Sequence, residues 1–195
     1  MNKYIRIMII AILIIIAAVV IKVSGLYNII LKQIYPKKYS EYVEKYSAEY
    51  NVDPLLIYSV IKAESNFKET AVSSSGAKGL MQLMNATAEE IANNIDTPLL
   101  EDASLLEAEK NIMIGVRYYS ELLDMYEGNM LLALTAYNAG IGNVNSWITQ
   151  GIIKKDGSDI ENIPYKETNM YVRKIINNYV MYQKIYGWYN QNIDI

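Results

Sequence analysis

Asp53-Pro54-Leu55-Leu56-Ile57-Tyr58-Ser59-Val60-Ile61-Lys62-Ala63-Glu64-Ser65 is the stretch from which the rest of the chain can be read. Asp53 suits a helix N-cap and Pro54 the first helical position, so a helix is predicted to start here. Counting back from Glu64 in helical steps reaches Ile61, Val60, Ile57 and Leu56, which places its carboxyl on the apolar stripe of that helix. A carboxyl held against apolar walls is desolvated, and desolvation penalises the charged form. Glu64 is therefore expected to titrate above the ~4.3 of a free glutamate and to hold a proton near neutrality, as a general acid must.

Composition narrows the chemistry available around it. The 195 residues include no Cys and no His. Disulfides, thiolate nucleophiles, Cys-bound metals and the commonest general base are thereby excluded. Catalysis has to come from carboxylates, hydroxyls, amides or amines. Lys3, Arg6 and Lys22 are the only charges before Lys32; setting them aside leaves 15 basic against 21 acidic residues, a net of −6. A domain of that balance has no overall attraction to nucleic acid, and none is expected as a partner.

The N-terminus reads differently from everything after it. Every residue from Ile7 to Ile21 is apolar. With Arg6 and Lys22 snorkelling, the usable span approaches the ~20 residues that a bilayer needs. Lys3 and Arg6 favour a cytoplasmic start, although Lys22, Lys32, Lys37 and Lys38 follow the span and weaken that signal. A cleaved signal peptide, with Val23-Ser24-Gly25 as its small residues, is the competing reading, for which the apolar run is long. An uncleaved anchor is the expectation, and without Cys it is not a lipoprotein anchor.

Beyond a stalk, the pattern predicts helices throughout. Ser40 is expected to cap a helix running to Tyr50, and further helices are expected at about 85–94, 104–126, 129–139, 142–148 and 166–186. The 104–126 helix carries Ile112, Val116, Tyr119, Leu123 and Tyr126 as its inward stripe. Asn66 to Lys78, with Ser73-Ser74-Ser75-Gly76, reads as a loop, and so does Gly151 to Pro164. No strand alternation and no internal repeat stand out. The expected fold class is all-α, a multi-helix domain after an N-terminal transmembrane helix.

Four pieces stand in order along this framework: Glu64-Ser65, Gly79-Leu80-Met81-Gln82, Ala136-Tyr137-Asn138-Ala139-Gly140 and Glu167-Thr168-Asn169-Met170-Tyr171-Val172. Together they resemble the catalytic domain of soluble-lytic-transglycosylase-type (SLT) enzymes, a lysozyme-like family that also resembles goose-type lysozyme. The resemblance spans about Tyr39 to Tyr186. It implies an anchor or signal over residues 1–25, a stalk over 26–39 and a catalytic domain over 40–190.

The resemblance also implies roles. Glu64 becomes the single catalytic acid and base, with Ser65 supporting the helix end. Ser73, Gln82, Asn138 and Tyr171 become substrate-binding residues, with Tyr137 and Ser75 as further candidates. Tyr171 is matched to a tyrosine whose hydroxyl reaches the catalytic carboxyl. Gly79 is expected to let the backbone approach the ligand, and Met81 to pack in the cleft wall. The implied substrate is the glycan strand of peptidoglycan, cut between N-acetylmuramic acid and N-acetylglucosamine with a 1,6-anhydro product, on the outer side of the cell membrane. No metal and no cofactor is implied. Two rivals remain open: a goose-type hydrolase acting through a positioned water, and a membrane-tethered glycan-binding protein without turnover. Glu69, Glu89, Glu90 and Glu167 are the alternative carboxylates, each with a surface explanation.

Overall fold

The computed structural model describes residues 2–23, 25–95 and 102–187. The expected domain end at 190, and Ser24 of the small-residue triplet, lie outside the described residues. The chain divides into two compact units, Met1–Lys37 with Lys184–Ile195, and Lys38–Gln183.

In the first unit, α1 (Lys3–Val23) is a continuous helix whose residues 3–22 are all exposed. Its 21 residues give a length of about 31 Å, the thickness of a bilayer's hydrocarbon core. The expected stalk is itself helical: α2 (Leu26–Ile34) follows Gly25, whose φ of 73° no helix interior accommodates. Sequence patterning overlooked this helix, which has no capping side chain and no buried residue.

The second unit contains α3 (Ser40–Glu49), α4 (Pro54–Glu64), α5 (Asn85–Asn94), α6 (Ala108–Met125), α7 (Met130–Ala139), α8 (Ile141–Thr149) and most of α9 (Lys166–Tyr186). Short 3-10 turns occupy Asp102–Leu106 and Ile160–Asn162. Among the described residues the only β pairing is isolated bridges joining Val72, Lys78 and Leu83. The all-α expectation stands. Helix α6 is the hub and packs against α3, α5 and α7.

The α4 start is as its sequence indicates: Asp53 Oδ1 accepts from Leu55 N–H at 2.8 Å, with Pro54 at the first helical position. Two other helix starts differ. Ser40 lies inside α3, and the residue before it, Tyr39, takes the left-handed cap position with φ 57°. The long helix begins at Ala108 rather than 104, because Ser104 to Leu106 form a 3-10 turn. Its capping acceptor is remote in sequence: Glu69 Oε1 accepts from Ala108 N–H at 3.1 Å. A carboxylate there also complements the helix dipole.

Helix α6 is buried on a second face beyond the Ile112 stripe. Asn111, Gly115 and Leu122 lie on it and are buried, Asn111 at 0% and Leu122 at 1% exposure. Asn111 organises the Gly79–Met81 loop. Its Oδ1 accepts from Met81 N–H at 2.8 Å, and its Nδ2 donates to Leu105 O at 2.8 Å and Lys78 O at 3.0 Å. The role expected for Gly79 is corrected here. A Cβ on Gly79 would lie 2.2 Å from Asn111 Nδ2 and 2.4 Å from Leu105 O, so its bareness admits the core, not a ligand. Met81 is likewise fully buried rather than part of a cleft wall, and its Sδ would lie 2.4 Å from a Cβ at Gly115.

Asn111→Ala strips two buried backbone groups, Met81 N–H and Leu105 O, of their partner at once, while Lys78 O keeps its bond from Leu83 N–H. Each such orphan costs roughly 1–3 kcal/mol, so the variant should lose about 2 kcal/mol or more, measured by urea denaturation. A loss within about 0.5 kcal/mol, the range of ordinary surface changes, would contradict this account of the loop.

Candidate active site

Helices α4 and α9 run antiparallel along one another, and four contacts fix their register. Tyr171 on α9 meets Glu64, Lys174 meets Ala63, Asn178 meets Ser59 and Tyr182 meets Tyr58. The α9 positions recur every three or four residues and so share a face. Tyr58 and Tyr182 are fully buried and stack with ring centroids 5.7 Å apart. At the α4 start, the Tyr179 hydroxyl donates to Asp53 Oδ2.

Glu64 is the last residue of α4 and is partly buried. Its Oε1 accepts from the Tyr171 hydroxyl at 2.7 Å. Burial pushes its pKa up to about 7, against smaller downward pulls from the Tyr171 hydrogen bond and the Lys174 ammonium. Among the described residues, the groups acting on Glu64 are thus a hydroxyl and an amine, with no second carboxylate. Lys174 is fixed nearby by donating to Ala63 O at 2.6 Å. Burial, and then the charge of Glu64, hold the Tyr171 and Tyr137 hydroxyls well above the ordinary tyrosine range, so both remain protonated donors.

The backbone leaving Glu64 turns sharply. Ser65 Oγ donates to Leu80 O at 2.8 Å and lies 3.2 Å from Ile61 O, tying the helix end to the following loop. Asn66 and Phe67 then take left-handed conformations, with φ of 49° and 64°. Gln82 does the same at φ 49°. Three non-glycine residues in this region within one neighbourhood of the sequence mark a conformation imposed by its surroundings. Gln82 supplies part of that imposition: its Nε2 donates to Gly79 O at 2.8 Å and Ala71 O at 3.2 Å. Its amide hydrogens therefore serve the loop, and its Oε1 is the end left to accept.

The other expected residues fall into two sets. Tyr137 donates to Met81 O at 2.8 Å and packs against Tyr118, ring centroids 5.3 Å apart. Asn138 is exposed, with Oδ1 accepting from the Thr168 hydroxyl at 2.7 Å, so its Nδ2 is presented outward. Ser73 Oγ accepts from Ala77 N–H at 3.0 Å within its own loop, and Ser75 is exposed. Glu89, Glu90 and Glu167 are exposed, whereas Glu69 is the α6 cap described above. Sequence reasoning missed Lys174, Thr168 and Asn111. Lys174 had a signal, since it lies one turn beyond Tyr171 on the same face; Asn111 had none. A cleft of about 530 Å³ bounded by Tyr126, Asn129, Asn145 and Lys155 shares no residue with the Glu64 group. Among the described residues no cluster of metal-binding side chains occurs.

The all-helical domain and the desolvated carboxyl at its helix end agree with the lysozyme-like class that the sequence motifs resemble. Comparison with known proteins gives the family. Residues 41–159 match the family described as Transglycosylase SLT domain, and the chain belongs to it. It is similar to the soluble lytic murein transglycosylase of Salmonella typhimurium, 29% identical over 80% of this chain and 25% of that protein. It is also similar to the membrane-bound lytic murein transglycosylase C of Edwardsiella ictaluri, 36% identical over 55% of this chain and 32% of that one. A solved structure of an inactive mutant of the lytic transglycosylase Slt from Pseudomonas aeruginosa superposes with a TM-score of 0.73 at 32% identity, covering 79% of this chain and 25% of that one. The chain spans about a quarter of the length of the soluble relatives it matches.

The raised pKa has a stability consequence of definite sign. The Glu64 carboxyl titrates near 4.5 when unfolded and about 7 when folded, so the unfolded chain loses its proton first. Stability falls as pH rises between those values and stays lower above them. Glu64→Gln, which cannot ionise, should therefore be stabilised on the order of 2–3 kcal/mol at about pH 8 and little changed near pH 4, by urea denaturation. Equal effects at both pH values would contradict the burial of this charge.

Proposed function

We propose that the chain is a membrane-anchored lytic transglycosylase that cleaves peptidoglycan glycan strands, with Glu64 as its acid and base. The observation that carries the reading is the Glu64 carboxyl held near pKa 7 with Tyr171 and Lys174 as its partners. A glycosidase that works with two carboxylates needs the second within about 5–10 Å, as nucleophile or as base for water. A lone acid fits a reaction in which the substrate supplies its own nucleophile.

In that reaction Tyr171 donates to Oε1, which leaves Oε2 as the oxygen that carries the transferable proton. Protonated Glu64 gives it to the glycosidic oxygen between N-acetylmuramic acid and N-acetylglucosamine as the C1–O bond breaks. The resulting carboxylate takes the proton of the muramic C6 hydroxyl, whose oxygen closes on C1 to form the 1,6-anhydro sugar. Proton count and charge return to the start, and no cofactor enters. The Gln82 Oε1 suits a sugar amide N–H, and the Asn138 Nδ2 suits an acetyl or hydroxyl oxygen. Ser73, Ser75 and the Tyr137 ring complete the set of candidate sugar contacts.

The layout that accompanies this reading is an anchor over residues 1–25, a stalk over 26–39 and a catalytic domain over 40–190. Helix α1 crosses the membrane once, with the catalytic domain on the wall side. Support for attachment comes from the one apolar helix of spanning length among the described residues and from membrane-bound relatives.

Purified full-length protein incubated with peptidoglycan should release products ending in anhydro-muramic acid, identified by mass. Products ending in reducing muramic acid instead would indicate hydrolysis and contradict the proposal. Glu64→Gln should lower the rate about 1,000-fold, the size of a general acid–base contribution. Activity should fall as pH rises through about 7 as Glu64 loses its proton. Because Tyr171 and Lys174 both lower that pKa, Tyr171→Phe and Lys174→Met should each move the falling limb to higher pH. Movement to lower pH would contradict the assigned roles.

A further inference from the structure

Helix α2 carries an apolar surface that the lytic activity does not use. Leu26, Tyr27, Ile30 and Ile34 are 40–49% exposed, Ile29, outside their face, is 57% exposed, and no residue of the helix is buried. On a helical wheel Leu26, Ile30, Ile34, Tyr27 and Leu31 form a continuous arc, with Asn28 and Lys32 opposite. Aliphatic side chains sharing one face at this exposure call for an apolar occupant. Two features of the chain name that occupant. Only Ser24 and Gly25 separate α2 from the end of the apolar helix α1. The φ of 73° at Gly25 also breaks the helix there, so α2 takes a new direction instead of prolonging α1.

We propose that α2 is a membrane-surface helix, lying in the bilayer interface with the Ile30–Ile34 face among the acyl chains and Asn28 and Lys32 toward water. An amphipathic helix that a spanning segment delivers to the headgroup level has its apolar face covered by lipid at no further cost of association. The flanking chemistry agrees. Tyr27 suits the headgroup boundary, and Lys32, Lys37 and Lys38 suit anionic lipid. Lys32 and Lys37 also place their ammonium groups 5.8 and 5.5 Å from the Tyr186 ring, whose hydroxyl donates to Tyr35 O at 2.7 Å. This cluster secures the C-terminal end of α2 within its own unit. The residues 26–39 are then a collar on the membrane rather than a free spacer, and the enzyme would act on the glycan layer next to the bilayer. The inference rests on α1 being inserted, as proposed above.

The chain's lack of Cys makes the test direct. Single-cysteine variants of the full-length protein, Ile14→Cys, Asn28→Cys, Ile30→Cys, Lys32→Cys and Ile34→Cys, are labelled with an environment-sensitive fluorophore. They are then reconstituted in phosphatidylethanolamine–phosphatidylglycerol vesicles, with or without nitroxide-bearing lipid. Labels at 30 and 34 should emit as in an apolar medium and be quenched by the nitroxide several-fold more than labels at 28 and 32. Water-like labels at 30 and 34, with the label at 14 quenched, would overturn the inference and leave the anchor intact. A water-like label at 14 would overturn the anchor itself. Shielded but unquenched labels at 30 and 34, with disulfide cross-linking between copies of the same variants left unlabelled and oxidised, would show a second copy on this face and overturn the lipid assignment.

Discussion

The structure depends on a carboxyl kept out of water by the pairing of two helices. Helix α4 ends on Glu64, and α9 closes over it, bringing Tyr171 within 2.7 Å of Oε1. Burial of the charged form dominates, while the hydroxyl and the Lys174 ammonium offset part of it, and the balance lands at about 7. A stronger ion pair would return Glu64 to the ordinary range and strip it of the proton it holds near neutrality. With neither partner the carboxyl would stay protonated and make a poor base. The distance between α4 and α9 is thus a chemical setting as well as a packing one, and the buried Tyr58–Tyr182 stack maintains it two turns away.

The floor of the site is held by a second set of interactions that never touch the carboxyl. Ser65, the residue after Glu64, bonds Leu80 O, and Leu80 belongs to the loop that Asn111 holds from α6. Tyr137, on α7, bonds the next carbonyl of that loop at Met81. Three elements distant in sequence therefore converge on residues 79–82, which explains why the left-handed conformation of Gln82 persists. Gly79 and Gly115 are the empty positions that let Asn111 and Met81 fit.

How much of this was legible in the sequence follows the range of each signal. The Asp53-Pro54 helix start is local, and the structure has it as read. The last helix, marked by apolar periodicity, runs over Lys166–Tyr186 as expected. The start of α6 was misplaced because its cap is Glu69, 39 positions away. Ser40 looked like a cap by residue type, yet Tyr39 holds that place through its backbone conformation. Gly79 was assigned the right freedom for the wrong neighbour, since nothing local shows that Asn111 approaches it. For the site, Glu64 was visible as an acid on an apolar stripe, whereas its companions came from family resemblance. Lys174 fell outside the quoted motifs, and Thr168, inside one, looked like an ordinary helix residue, although each bonds within the group.

The chemistry of the site turns on the protonation state of one side chain. Carbon-13 NMR of the Glu64 carboxyl, assigned by comparison with Glu64→Gln and followed through a pH titration, reads that state without substrate. The account predicts a midpoint near 7. A midpoint at or below the ~4.3 of a free glutamate would contradict it, because such a group carries no proton to give at neutral pH.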